Sequence, residues 1–236
     1  MIEIIPFASL GHQKHGWLNA RHHFSFANYY NPRRMGQAPL RVWNDDTIKA
    51  GTGFPMHPHQ DMEIITYIRT GAITHEDNLG NHGRTDAGNI QVMSAGSGIV
   101  HSEYNLENEA TTLFQIWIET AHTGIEPRWA AKPFPKQEAD RLQLMASGRP
   151  EHENSNALKI YQDAALWAAN SAAGTVLPHI LGLDRHAYLV ASKGEITVNG
   201  MAAEAGDGVR VFNEEKLEIR LQTAGEIVMV DLPVLN

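Results

Sequence analysis

Short runs of β-branched and aromatic residues recur along the whole chain, and glycine or asparagine separates them. The clearest runs span residues 41–48, 62–68, 89–94 and 112–118. Strand–turn pairs at this spacing are typical of β-sandwiches and β-barrels. No apolar stripe of helical period lasts more than about two turns. We therefore expect an all-β fold, with residues 163–170 as the best candidate helix because they are rich in alanine.

Two parts of the chain repeat one order of motifs. Gly71-Ala-Ile-Thr is echoed by Gly194-Glu-Ile-Thr, residues 87–93 by 205–211, and the strand ending at Ile118 by a strand before the C-terminus. The alternative is that short strands after glycine resemble one another by chance. Residues 124–137 carry three prolines and resemble a linker. The pattern predicts two antiparallel β-barrel domains, at 1–135 and 136–236.

Composition removes several classes of protein. The 236 residues include no cysteine, which excludes a disulfide framework, a thiol nucleophile and cysteine-ligated zinc. The net charge of −8 argues against direct binding of nucleic acid, which needs a basic face. No apolar run approaches 18 residues, and the first residues lack the features of a signal peptide. We expect a soluble cytoplasmic protein that does not contact membranes.

The clearest candidate functional residues are histidines at the spacing of metal ligands. His57 and His59 are two residues apart, which on a strand places both imidazoles on one face about 6–7 Å apart. His101 and Glu103 repeat this spacing. Two facing strands would supply three imidazoles and a carboxylate, a set that suits iron, manganese, nickel, copper or zinc. Glu63 stays open as an alternative ligand. Its number is odd, like those of His57 and His59, so counting by two along a strand places all three side chains on one face.

The sequence gives weaker indications of a functional role for the other histidines and for the aromatic residues. His75 and His82 flank a turn and are interpreted as solvated, and structural hydrogen bonds are expected for His12, His15, His22 and His23. No His-x-His pattern occurs near Ile219, the counterpart of His101, so the second barrel is expected to bind no metal. A flat aromatic substrate would find candidate walls and a hydrogen-bond donor in Phe24, Phe26, Trp43, Trp117 and Gln115.

These motifs resemble those of a known family. Gly51, His57, His59 and Glu63 match the first cupin motif, and Gly98, His101 and Asn105 match the end of the second. The segments HGWLNARHHFSFANYYNP, RVWNDD, HPHQDMEIITYI, SAGSGIVHSEYN and LFQIWI are similar to the pirin family, in its quercetinase-like bacterial branch. The similarity covers residues 1–120 and, more faintly, the second half. It implies a bicupin fold with one metal in the N-terminal barrel.

The resemblance also implies residue roles. Ordinary cupins would use Glu63 as the fourth ligand, whereas pirins use the glutamate two residues after the third histidine, here Glu103. The expected ligands are thus His57, His59, His101 and Glu103, with Glu103 also acting as a general base and Glu63 lying beside the site. Iron is the expected metal, and zinc, manganese, nickel, copper and cobalt are alternatives.

The activity that the resemblance implies is a dioxygenase reaction, in which a flavonol such as quercetin reacts with O2, its ring opens and carbon monoxide leaves. Two alternatives remain. One is a redox-sensing regulatory module that acts through a protein partner. The other is a cupin isomerase or hydrolase that uses the same metal as a Lewis acid.

Overall fold

The computed structural model describes residues 1–133 and 140–235. These residues form 22 strands and two short 3₁₀ helices, Phe7–Ser9 and Pro150–His152. The first strands are β1 Ile2–Ile5, β2 Gly11–His15, β3 Leu18–His22, β4 Leu40–Ile48, β5 Thr52–His59, β6 Met62–Thr70, β7 Ala72–Asp77, β8 His82–Asp86, β9 Ile90–Ser94, β10 Ile99–Asn105 and β11 Thr111–Glu119. The remaining strands are β12 Arg128–Lys132, β13 Gln143–Ser147, β14 Leu158–Lys159, β15 Ala165–Ser171, β16 Val176–Ile180, β17 Arg185–Lys193, β18 Ile196–Val198, β19 Met201–Ala203, β20 Gly208–Phe212, β21 Lys216–Leu221 and β22 Gly225–Pro233.

The chain divides into two compact units. The first unit comprises the described residues within Gly11–Phe134 and Leu158–Gln162, and the second unit comprises those within Met1–Leu10, Pro135–Ala157 and Asp163–Asn236. This division differs from 1–135 and 136–236, because β1 adds to β20 as an antiparallel edge strand through pairs such as Ile2 with Val211. The start of the chain therefore belongs to the second unit.

Both units share one strand order. In the first unit a larger sheet has the order β12-β9-β6-β11-β4-β3-β2, and a smaller sheet has β5-β10-β7-β8. In the second unit the neighbours are β1-β20-β17-β22-β15-β13 and β16-β21-β18-β19. Thus β9 corresponds to β20, β11 to β22 and β10 to β21. The repeated motifs in the sequence mark a real duplication, and the all-β prediction is confirmed.

Each unit buries apolar side chains from both of its sheets. In the first unit, Ile48, Ile68 and Leu113 of the larger sheet pack with Ile73 of the smaller one. In the second unit, Leu189 and Met229 of the larger sheet share a cluster with residues such as Ile219 of the smaller one. Each unit is a two-sheet jelly roll rather than a closed barrel. This burial drives the two sheets of each unit together.

Two local predictions are wrong. Residues 163–170 form no helix: Ala165–Ser171 is the strand β15, paired with β13 on one side and β22 on the other. Sheet pairing overrides the weak helical preference of its alanines. Within the predicted linker, Arg128–Lys132 is the edge strand β12, paired with β9. The linker residues 134–137 lie outside the described part of the chain.

In the described part of the chain, no helical segment has the length and apolar character needed to span a lipid bilayer.

Candidate metal centre

Three histidines meet where β5 and β10 run side by side. β5 carries His57 and His59, and His101 on β10 lies directly opposite His57 in the antiparallel ladder. The ring centroids are 4.8 Å apart for His57 and His59, 4.5 Å for His57 and His101, and 5.0 Å for His59 and His101. One nitrogen of each ring lies within 4.8 Å of the others. Three converging imidazoles suit a divalent transition metal that keeps open positions for a substrate.

A bulge in β5 aims His57 at this point. Phe54 pairs with Glu103 and His57 pairs with His101, so two residues of β5 lie opposite a single residue of β10. Pro55 lies in this bulge, where its missing N–H removes no ladder bond. The Nδ1 atom of His57 is 2.7 Å from the carbonyl oxygen of Pro55, to which it donates. The Nε2 atom of His57 is thereby left with its lone pair, and it lies 3.1 Å from Nε2 of His101.

Behind His101 lies a buried pair that the sequence interpretation placed in solvent. His75 has no exposed surface, and its Nδ1 atom is 3.3 Å from Nδ1 of His101. Its Nε2 atom is 2.9 Å from Asp77 Oδ2, and its ring stacks on Trp129 at a centroid distance of 4.8 Å. The prediction of a solvated His75 is therefore wrong. The signal for it was the His75-x-Asp77 spacing, which places both side chains on one face of β7.

Glu103 lies in the same cavity, where three donors hold its carboxylate. Thr66 Oγ1 and Gln91 Nε2 donate to its Oε1 at 3.0 and 2.6 Å, and Gln115 Nε2 donates to its Oε2 at 2.5 Å. Glu103 stands outside the group of three histidines in this structure. Its roles as fourth ligand and general base stay predictions.

A cavity of about 210 Å³ opens onto the three histidines. Trp117 and Phe26 form an aromatic corner of its wall: their rings meet edge to face at 5.3 Å, and Trp117 also packs edge-on against His59 at 4.9 Å. Of the other aromatic candidates, Phe24 and Trp43 are fully buried and do not line this cavity. The described residues that line it are Gln13, His15, Leu18, Ala20, His22, Phe26, Ala27, Asn44, Asp46, Phe54, His57, His59, Ile64, His101, Glu103, Gln115 and Trp117.

Glu63 does not line the cavity, which corrects the expectation that it lies beside the site. Ile64 lines the cavity and Thr66 reaches Glu103, so even-numbered residues of β6 face inward and Glu63 faces the other way. The alternation of side chains along a strand does not carry over from His59 to Glu63, because β5 ends at His59 and β6 begins only at Met62. Instead, Ser94 donates to Glu63 Oε2 at 2.7 Å. Burial raises the pKa of Glu63 to about 7, against smaller opposing effects of Ser94, the Tyr161 backbone and Arg128.

The electrostatics of the histidine group favour metal binding. Burial, followed by the neighbouring His57 and His75 rings, lowers the pKa of His101 to about 3, against a smaller opposing effect of Asp77. Burial, followed by His101 and His57, lowers the pKa of His59 to about 4. Both imidazoles are therefore neutral near pH 7, which is the form that binds metals.

The second unit has apolar residues at the corresponding position. Leu177 of β16 lies opposite Ile219 of β21, as His57 lies opposite His101, and both side chains are fully buried. That the second unit binds no metal stays a prediction.

Sequence reasoning did not identify several polar residues of the cavity. His22, Asn44 and Asp46 face it from β3 and β4, and Gln91 and Thr66 hold Glu103. The period-two alternation of RVWNDD places Asn44 and Asp46 on one face, but single-sequence patterns do not show which face is lined by a cavity.

Comparisons with known proteins agree with this arrangement. Residues 6–118 match the family model described as Pirin, and residues 144–232 match the one described as Quercetinase C-terminal cupin domain. A pirin-like protein of Caulobacter vibrioides is 52% identical over 98% of this chain and 99% of its own length. The Escherichia coli (strain K12) protein named quercetin 2,3-dioxygenase is 42% identical over 94% of this chain and 95% of its own.

A solved structure shows the same fold. The crystal structure of the bacterial pirin YhhW from Escherichia coli in complex with nickel(II) has a TM-score of 0.92 and 40% identity, and the match covers 100% of both chains. Two family models in order, relatives matched over nearly their full length and a bicupin fold with three clustered histidines lead to one conclusion: the chain belongs to the pirin family.

Proposed function

We propose that this protein is a metal-dependent dioxygenase that opens the ring of flavonols such as quercetin with O2. The observation that carries the proposal is the placement of the three-histidine group and Glu103 in one aromatic-lined cavity. The names of the relatives agree with it. A regulatory module would need an exposed surface that responds to a bound metal, whereas a concave cavity beside the histidines is what a small-molecule enzyme needs.

In this proposal His57, His59 and His101 hold the metal, and Glu103 is the fourth ligand. A bound divalent transition metal would lower the pKa of a ligand hydroxyl and supply the redox chemistry for O2. Iron is our expected native metal, and nickel is the metal bound by YhhW. The donor set fits these ions, because two of the three histidines present Nε2 atoms that converge within 3.1 Å.

The protein's own groups would position the flavonol and accept its proton. Trp117 and Phe26 provide flat apolar surfaces for an aromatic ring. Glu103, held by three donors, would accept the proton of the flavonol 3-hydroxyl, because a carboxylate fixed within reach of a proton acts as a general base. Gln115 joins these parts: it donates to Glu103, and its Oε1 accepts from the Trp117 indole N–H at 3.4 Å.

The test is O2 consumption by the protein loaded separately with iron, nickel, manganese, copper, cobalt and zinc, with quercetin as substrate. We expect turnover with at least one redox-active metal, and less than about 1% of that rate in His101→Ala, because removal of one of three imidazoles disrupts the site. Metal content measured in each sample separates loss of metal from loss of chemistry. If no metal supports O2 consumption with any flavonol, the proposal is wrong.

A further inference from the structure

One carboxyl group of the cavity has no use in the mechanism above. Asp46 lies on β4, lines the cavity and is only 2% exposed. Among the described residues, no group hydrogen-bonds to its Oδ1 atom. The strand register explains this: Asp46 lies between Ala20 of β3 and Leu113 of β11, neither of which has a polar side chain. A buried carboxyl oxygen without a hydrogen bond costs folding free energy, so its presence needs a reason.

Its neighbour His22 also lines the cavity and carries a second buried atom without a hydrogen-bond partner. Asn44, the residue of β4 opposite His22, has its Oδ1 atom 2.7 Å from His22 Nδ1. Because a carbonyl oxygen only accepts, Nδ1 carries the proton and Nε2 is an acceptor. No described residue bonds to that Nε2 atom. Burial lowers the pKa of His22, so the ring is neutral near pH 7.

The surroundings of Asp46 also favour its neutral form. Burial raises its pKa well above the ordinary value, and the charges of Asp45 and Glu103 raise it further, whereas Arg69 opposes them. A neutral carboxylic acid both donates and accepts hydrogen bonds. Asp46 and His22 therefore offer a donor and an acceptor on adjacent strands, in a wall that otherwise includes apolar Leu18, Ala20 and Phe54. Glu103 differs from them, because its three donors already satisfy it.

We propose that Asp46 and His22 form a hydroxyl-binding subsite of the cavity, which recognises a phenolic hydroxyl of the substrate other than the one that approaches the histidines. This inference rests on the proposed flavonol activity and extends it to specificity. A site built to bond a hydroxyl group discriminates against analogues that lack it, because the buried polar atoms of the protein are then left unpaired.

Binding of a flavonol series to metal-loaded protein under argon tests the subsite without turnover. The probes are 3-hydroxyflavone, which has only the 3-hydroxyl, together with galangin, fisetin and quercetin, which add hydroxyls at different positions. We expect wild type to bind at least one hydroxylated probe about 10-fold more tightly than 3-hydroxyflavone, the usual size of one buried hydrogen bond. In Asp46→Leu this preference, taken as the ratio of the two affinities measured in the same variant, should fall to about 2-fold.

Two further variants separate recognition from a structural role. Asp46→Asn keeps a neutral donor and acceptor, so it should retain most of the preference. Asp86→Asn makes the same chemical change at an exposed carboxyl of β8 and should match wild type. A preference that survives in Asp46→Leu, or equal loss of affinity for every probe together with a lower melting temperature, would overturn the subsite and leave the dioxygenase proposal standing. If no flavonol binds to loaded wild type, both proposals are wrong.

Discussion

The Nδ1 atoms of His101 and His75 lie 3.3 Å apart, and the contact fixes which nitrogen of each ring carries a proton. The Asp77 carboxylate accepts from the backbone N–H groups of Leu79 and Asn81, so it is held in place and can only accept from His75 Nε2. His75 Nδ1 is then an acceptor, and His101 Nδ1 must be the donor. The lone pair of His101 Nε2 is thereby directed at the metal position.

The first prediction tests this chain of hydrogen bonds. The amide that Asp77→Asn introduces can donate to His75 Nε2, which would reverse both tautomers and place a proton on His101 Nε2. The substitution should therefore weaken nickel binding by about 10- to 100-fold, measured by competition with a chromophoric chelator. Glu76→Gln, on the exposed face of the same strand, is the matched control. Unchanged affinity in Asp77→Asn, or a His101 proton found on Nε2 by nitrogen NMR of the wild-type apoprotein, would contradict the assignment.

The second prediction compares the two glutamates that the sequence left as alternatives. Glu103→Gln should lower quercetin turnover by about 10²-fold or more, the usual effect of losing a general base. Glu63→Gln should stay within about 3-fold of wild type, because Glu63 faces away from the cavity. Turnover is measured at saturating quercetin, with metal content determined in each variant. The reverse ranking would show that Glu63 serves the site.

The third prediction concerns pH and Glu63. Its folded-state pKa of about 7 lies above the value near 4.5 expected in the unfolded chain. The Glu63 carboxyl therefore contributes its full share of the unfolding free energy below about pH 4.5, and this contribution is lost as the pH rises through 7. The unfolding free energy of Glu63→Gln minus that of wild type should therefore rise by up to about 3 kcal/mol between about pH 4 and pH 8. Urea unfolding at several pH values measures this difference, and a pH-independent difference would contradict the burial argument.

The fourth prediction concerns the second unit, where a fully buried carboxylate holds three cationic or polar partners. Asp231 accepts from Arg149 at 2.7 Å, from Arg185 at 2.5 Å and from His179 at 3.2 Å. Asp231→Asn leaves two arginines without their shared anion and should cost about 3–5 kcal/mol. Asp163→Asn removes a half-exposed partner of Arg185 and should cost less than about 1 kcal/mol. Equal losses in chemical denaturation would contradict the importance of burial.

The sequence predicts most of the fold, because strand identity follows from local patterns. The runs at 41–48, 62–68, 89–94 and 112–118 all became strands, and the repeated glycine motifs marked the duplication. The assignment of the first ten residues to the second unit depends on pairing between Ile2 and Val211, which no local pattern reports. The strand at 165–171 likewise depends on its two neighbours.

Some residues of the candidate site were placed correctly from the sequence and others were not. His57, His59 and His101 followed from spacing and family resemblance, since those residues lie on single strands. Glu63 and His75 were misplaced for physical reasons: a turn breaks the count of two between His59 and Glu63, and a buried partner makes His75 structural rather than solvated. The native metal, the cytoplasmic location and a protein partner stay predictions.

The most direct test of the proposed function is the stoichiometry of gas exchange with quercetin. Metal-loaded wild type should release one carbon monoxide for each O2 consumed and each quercetin lost, and Glu103→Gln with matched metal content should release about 10²-fold less per unit time. O2 is followed by electrode, carbon monoxide in the headspace and quercetin by absorbance. Quercetin loss without carbon monoxide, or at a rate that does not depend on Glu103, would contradict the account.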